Sequence, residues 1–126
     1  MTERRYKHSF SELIDRLCLC QLKENHGGDY EQEIKDIMHD IQLMISQGVS
    51  VNSDVIRAIV ALVQSNSFIW MNESAARDGN PENNNLWLTH QLNANRSECK
   101  GVIETLVGGR TDKKLNYLDG VWKISW

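Results

Sequence analysis

In the stretch "NSFIWMNESAAR", Asn66, Trp70, Glu73 and Arg77 are spaced four, three and four residues apart, the repeat of one stripe along an α-helix. Each of these types can contact a ligand. An amide both donates and accepts, a carboxylate accepts, a guanidinium grips an anion with paired N–H groups, and an indole offers a flat face. Followed backwards, the stripe runs through Val63, Val60, Ile59 and Ile56, so the polar set is expected on a face that also buries aliphatic side chains. Leu88, Leu92, Cys99, Ile103 and Leu106 form a second apolar row interrupted by Arg96, with His90 and Asn93 on the adjoining row. An arginine there must snorkel out or meet a buried anion, because an unpaired buried charge is very costly. Asp15, Leu19, Leu22 and His26 make a third row of the same spacing, with Lys23 beside it. The three rows predict one shared polar pocket built from Asp15, Lys23, His26, Asn66, Trp70, Glu73, Arg77, His90, Asn93 and Arg96.

Each residue also has a plainer role. Glu73 and Arg77 fit a surface i, i+4 pair worth about 0.2–0.5 kcal/mol. Asn66 could end the buried part of its helix, and Trp70 is a natural core residue. The coincidence across three segments is what favours a common site.

These rows need helices to carry them, and four can be marked. The first opens at Ser9, where Glu12 three residues later completes a capping box, and stops at Gly27-Gly28. The second is expected to open at Asp29 with Gln32 in the box position, and to carry Ile34, Ile37, Met38, Ile41 and Ile45 to Gly48. The third opens near Asn52 or Ser53 and runs to about Arg77; the loop signal "DGNPENNN" follows. The fourth runs from about Asn84 to Val107. "KKLNYL" reads as a further helical turn or two, and "VWKIS" alternates like a short strand. The expectation is an all-α chain: an antiparallel four-helix bundle over 1–110, with a Trp-containing tail, 111–126, packed on the bundle or on a second subunit.

The 126 residues suffice for one domain, and 40% hydrophobic with 25% charged residues is the balance of a soluble globular protein. A formal charge of −3 gives no broad basic field, which argues against nucleic acid as a partner while leaving room for a small anion. No run of apolar residues is long enough for a membrane span. "MTERRYKHSF" has no apolar segment of the signal-peptide kind, and Cys18, Cys20 and Cys99 match no redox or zinc spacing. Reduced core thiols in a cytoplasmic protein are expected.

The segments "LIDRLCLCQLKENH", "NSFIWMNESAAR" and "THQLNANRSECK" resemble a family of small all-helical proteins of bacteria and their phages. The shared positions are Leu13-Ile14-Asp15, Leu22-Lys23, His26, the stripe Asn66, Trp70, Glu73, Arg77, and Leu92-Asn93 with Arg96. "EIKDIMHDI" and "NNLWLTH" are similar to small proteins of marine T4-like phages. The resemblance covers about residues 9–107 and implies that these positions act as a set; it implies no substrate.

Three functions follow. The first is a small-molecule binding protein holding an anionic, nucleotide-like ligand: Arg96, Arg77 and Lys23 on the anion, His26 and His90 adding hydrogen bonds, Trp70 stacking on a ring, with a phage sequestering protein as one form and no cofactor needed. The second is a Mg-dependent enzyme similar to the all-α nucleotide pyrophosphohydrolases, with Glu33, Asp36 and Asp40 on one face as metal ligands. The E-E-x-x-E half expected on the preceding helix is missing, where only Glu12 and Asp15 stand. A solvated acidic face opposite Ile34, Ile37 and Ile41 explains those three residues better. His39-Asp40 is an isolated His-Asp pair, and the four histidines are not placed for zinc. The third is a non-catalytic homo-oligomer in which the polar set is a buried network that fixes register. The first is the leading expectation, with a homo-oligomer as the expected form; whether the chain is an enzyme stays open, with the balance against it.

Overall fold

The structure, a computed structural model, describes residues 8–77 and 86–108, the side chains of 74–77 and 86–87 excepted. These residues form four helices: α1 (Phe10–Asn25), α2 (Glu31–Ser46), α3 (Ser53–Arg77) and α4 (Leu86–Leu106). The all-α expectation holds among them. The loop 78–85, the expected start of the fourth helix at Asn84 and the whole tail lie outside the described residues.

The capping box of α1 is present as read from "SFSE". Ser9 Oγ accepts the Glu12 N–H at 3.3 Å, and the Glu12 carboxylate accepts the Ser9 N–H at 3.4 Å. Burial pushes the Glu12 carboxyl up. Hydrogen bonds from Ser9 and His8, with the Lys100 charge, outweigh that and hold it below the ordinary 4.5. At α3 the start falls to Asn52, whose Oδ1 accepts the Val55 N–H at 3.0 Å.

The start of α2 differs from expectation. Its cap position is Tyr30, which makes no side-chain cap bond, and Gln32 turns forward to donate to Asp36 at 3.0 Å. The reason lies one turn earlier. The Tyr30 ring lies over Gly28, where a Cβ would meet it at 2.6 Å, and this tight approach carries the chain past Asp29 before the helix begins. Asp29 keeps a long 3.4 Å contact to the Glu31 N–H.

Phe10, Leu13, Ile14 and Cys20 of α1, Ile37 and Ile41 of α2, Val55, Ala58 and Leu62 of α3, and Cys99 and Ile103 of α4 form one core cluster. The closest packing is α3 against α4; α1 touches all three other helices, whereas α2 makes its backbone contacts with α1. Side-chain pairs give the directions. Asp15–Arg96 and Ser11–Glu104 cross-link α1 to α4 in opposite sense, and Ser65–Cys99 with Asn72–Thr89 does the same for α3 and α4. None of the described helices is long and apolar enough to cross a membrane.

The third helix corrects one expectation. Its buried face is Val55, Ala58, Leu62, Ser65, Asn66 and Ile69, while Ile56, Val60 and Val63 stand in solvent. At ~100° per residue, Ile56 sits about 80° around the helix from Asn66, so the row expected to share one face with Asn66 straddles the edge of the buried one. Between Val55 and Asn72 the only charged residue is Arg57. With apolar residues on most of its circumference, α3 carries little pattern to say which side turns inward.

Candidate functional site

Asp15 reaches its place because Ser11 and Cys18, one turn before and one turn after it, are buried on the same side of α1. Its carboxylate is nearly closed off, with the side chain 5% exposed. Three donors meet it there. Asn66 Nδ2 of α3 donates at 2.8 Å, Arg96 Nε of α4 donates to the same oxygen at 3.0 Å, and Arg96 Nη2 donates to the other oxygen. One buried acid thus ties three helices. The hydrogen bonds that Arg96 donates to Asp15 push its guanidinium above its ordinary range against the opposing effect of burial. The bidentate grip fixes the plane of the guanidinium.

The amide of Asn66 also lies beside the Cys18 thiol, which burial pushes up while that amide pulls it back. Asn66 Oδ1 is buried without a hydrogen-bond partner. Cys18 is therefore held as a neutral thiol and Arg96 as a cation, so neither supplies a nucleophile at neutral pH.

A second pairing lies further along α1 and α3. His26 caps the end of α1; its Nδ1–H donates to the Leu22 carbonyl at 2.7 Å, and its ring lies 4.9 Å from the Trp70 ring, centroid to centroid. Trp70 is half-buried one turn after Asn66, and Glu73 follows it, exposed but close enough for its charge to act on Arg96. The side chain of Arg96 is 28% exposed. Its Nη1 makes no hydrogen bond among the described residues.

Of the ten residues expected in the pocket, the structure brings together Asp15, Asn66 and Arg96, with the Glu73 charge acting on Arg96, while His26 and Trp70 meet each other further along α1 and α3. Lys23, His90 and Asn93 are exposed and do not join. The helix repeat explains why. Lys23 sits about 80° around from Asp15, and His90 and Asn93 about 120° and 60° from Arg96. Lys23 Nζ lies 5.3 Å from the centroid of the Tyr30 ring, a cation–π contact, and Asn93 donates to its own helix at the Thr89 carbonyl, 3.0 Å. The side chain of Arg77 lies outside the described residues.

Two buried polar links went unread in the sequence. Asn95 Nδ2 donates to Ser65 Oγ, which donates in turn to the Ala61 carbonyl at 3.0 Å and lies 3.9 Å from Cys99 Sγ. Glu104 is buried and accepts the Ser11 N–H at 2.6 Å, placing a carboxylate at the positive end of α1. Asn95 follows Leu92 by three and precedes Cys99 by four, the signal that it and not only Arg96 faces inward. Glu104 had no such signal, because its acceptor role depends on a helix start 93 residues away. All three cysteines are buried and free, and burial lifts Cys99 to about 11.

The acidic face of α2 borders a cleft of about 510 Å³ between α1 and α2. Arg16 stands in its wall, donating to Glu33 at 3.0 Å and to His8 Nε2 at 2.9 Å, while Asp36 accepts from Gln32. Among the described residues no group of three His, Cys, Asp or Glu side chains converges to hold a metal ion. Glu33, Asp36 and Asp40 therefore gain no geometric support as ligands. No family model, curated protein or solved structure matches this chain.

Proposed function

We propose that the chain is a small-molecule binding protein that takes an anionic, planar ligand at the rim of the Asp15–Asn66–Arg96 cluster. One observation carries this: Arg96 is locked by Asp15 in a single orientation, yet its side chain stays 28% exposed and its Nη1 makes no hydrogen bond among the described residues. A pre-oriented guanidinium spends little entropy on binding, and Trp70, one helical turn beyond Asn66 on α3, would offer its ring face to a planar group bearing the phosphate or carboxylate. The expected internal anion is replaced by Asp15 itself, so the ligand sits at the mouth and not within the core. Its nucleotide-like character, and a sequestering role in a phage-infected cytoplasm, extend this proposal from the family resemblance.

The test is an NMR titration with adenosine monophosphate as the planar anionic probe and adenosine as its uncharged control. Saturable shifts of the Arg96 Nε–H and Trp70 indole signals with the monophosphate, weaker by tenfold or more with adenosine, are expected. Equal response to both probes, or none at either signal, refutes an anion seat at Arg96.

A second reading, association as a homo-oligomer, draws on α2. This helix packs on α1 and leaves Met38 and Ile45 exposed beside its buried edge. An antiparallel four-helix bundle completed by another subunit would cover them. A mass above one chain that persists on dilution would favour it.

A further inference from the structure

The outward row of α3 exposes a line of apolar side chains. Ile56 is 54% exposed, Val60 50%, Val63 40% and Met71 65%. They follow one another at four-, three- and eight-residue steps, interrupted only by Ser67 at the missing helical repeat. We propose that this row is the seat of the chain's own C-terminal segment, residues 109–126.

Three observations choose that occupant. The first is position. Because α3 and α4 are cross-linked in opposite sense at Ser65–Cys99 and Asn72–Thr89, the last turn of α4 lies level with the first turns of α3, where the row begins. There the chain leaves α4 through Gly108, whose φ of +77° is the left-handed conformation that ends a helix and turns the chain out of its axis. The second is length. The row from Ile56 to Met71 spans ~22 Å at ~1.5 Å per helical residue, and the residues after Gly108 reach ~27 Å even if fully helical.

The third is area. Fully burying one such side chain removes roughly 60–120 Å² of apolar surface, so four half-exposed ones offer on the order of 200 Å², well short of the ~800 Å² each partner gives to a standard interface. A second copy would need much more than this row. A short segment would not. After the charged "RTDKK", the run "LNYLDGVWKISW" contributes Leu115, Leu118, Val121, Trp122, Ile124 and Trp126, and each tryptophan alone can bury ~150–250 Å². The chain enters this segment at the end of the molecule where the row begins.

Disulfide trapping in the full chain tests this. Val60→Cys with Trp122→Cys is oxidised at low protein concentration and compared with Glu24→Cys with Trp122→Cys, whose α1 site lies on another helix. The buried native thiols remain in both. An intrachain bond in the first pair, forming at least tenfold faster than in the control and identified by peptide mass, is expected. Adding Ile56→Asp and Val63→Asp should slow it fivefold or more while the helical circular dichroism stays unchanged. Equal rates for the two pairs overturn the proposal, as does a covalent dimer in place of the intrachain bond, which would assign the row to a second copy. A rate indifferent to the two aspartates overturns the apolar row as the cause. All these readouts are independent of ligand binding at Arg96.

Discussion

Replacing Asp15 by alanine removes the acceptor of three hydrogen bonds at once, two from Arg96 and one from Asn66. Arg96, 28% exposed, can swing outward and recover part of its hydration. Asn66 cannot, because it is fully buried and Oδ1 already lacks a partner. An unsatisfied buried amide donor costs about 1–3 kcal/mol, and breaking a buried ion pair about 3–5 kcal/mol when neither partner can escape. With one partner able to leave, the expected loss is about 3 kcal/mol out of a total stability of ~5–15 kcal/mol. Arg96→Ala should cost at least as much, since Asp15 would stay buried with only Asn66 to meet its charge. Urea unfolding followed by far-ultraviolet circular dichroism measures both, with the slope of each transition as the check that the unfolded state is unchanged. In the double variant no charge is stranded, so its loss should fall short of the sum of the single losses by about 2 kcal/mol or more. A single-variant loss below about 1 kcal/mol, or additivity within about 0.5 kcal/mol, would refute the buried network.

Other outcomes follow from the same geometry. Ser9→Ala should cost about 1 kcal/mol in urea unfolding by removing the cap of α1; no loss would mean that Glu12 alone satisfies that helix end. Cys99 keeps its proton to about 11 in the folded chain, whereas the unfolded thiol loses it near 9.0. The unfolded state therefore binds fewer protons across that window, and stability falls as pH rises through it. The fall should be shallower in Cys99→Ala, and an identical slope would contradict the assignment. Glu12 has the opposite sign. Its lowered pKa gives stability above 4.5 that is lost as pH falls through the folded value, so Glu12→Gln should flatten the acid limb of a thermal-stability profile. Lys23→Ala and His90→Ala should stay within about 0.5 kcal/mol of the parent chain and leave probe binding intact; a tenfold loss of binding in either would place it back in the site.

Helix spacing made the polar centre visible. Arg96 was readable because it interrupts the apolar row of Leu92, Cys99 and Ile103, and Asp15 and Asn66 because each shares a helical row with apolar residues, although for Asn66 that row proved to straddle the buried edge. The same spacing also admits residues that face solvent. Lys23, His90 and Asn93 are neighbours in sequence of inward-facing residues, but a turn of ~60–120° carries them to solvent. For α3 the pattern could say that a helix forms and not how it rolls, since Ile56, Val60 and Val63 are as apolar as Val55, Ala58 and Leu62. Only its neighbours decide: Ser65 meets Asn95 and Cys99, and Asn66 meets Asp15. The start of α2 was misplaced for a similar reason. Asp29 and Gln32 have the right types for a cap, but the Tyr30 ring over Gly28 sets the path of the turn. Glu104 was out of reach, because its partner is a backbone N–H on another helix.

The central claim, that Arg96 is held by Asp15 so as to present an anion seat, is met most directly by native mass spectrometry. The chain as purified from the producing cells is weighed before and after mild denaturation, beside Arg96→Ala. The account predicts an added, releasable small-molecule mass on the parent chain that is absent from the folded variant. The bare chain mass in both, or an added mass that survives in Arg96→Ala, would contradict it.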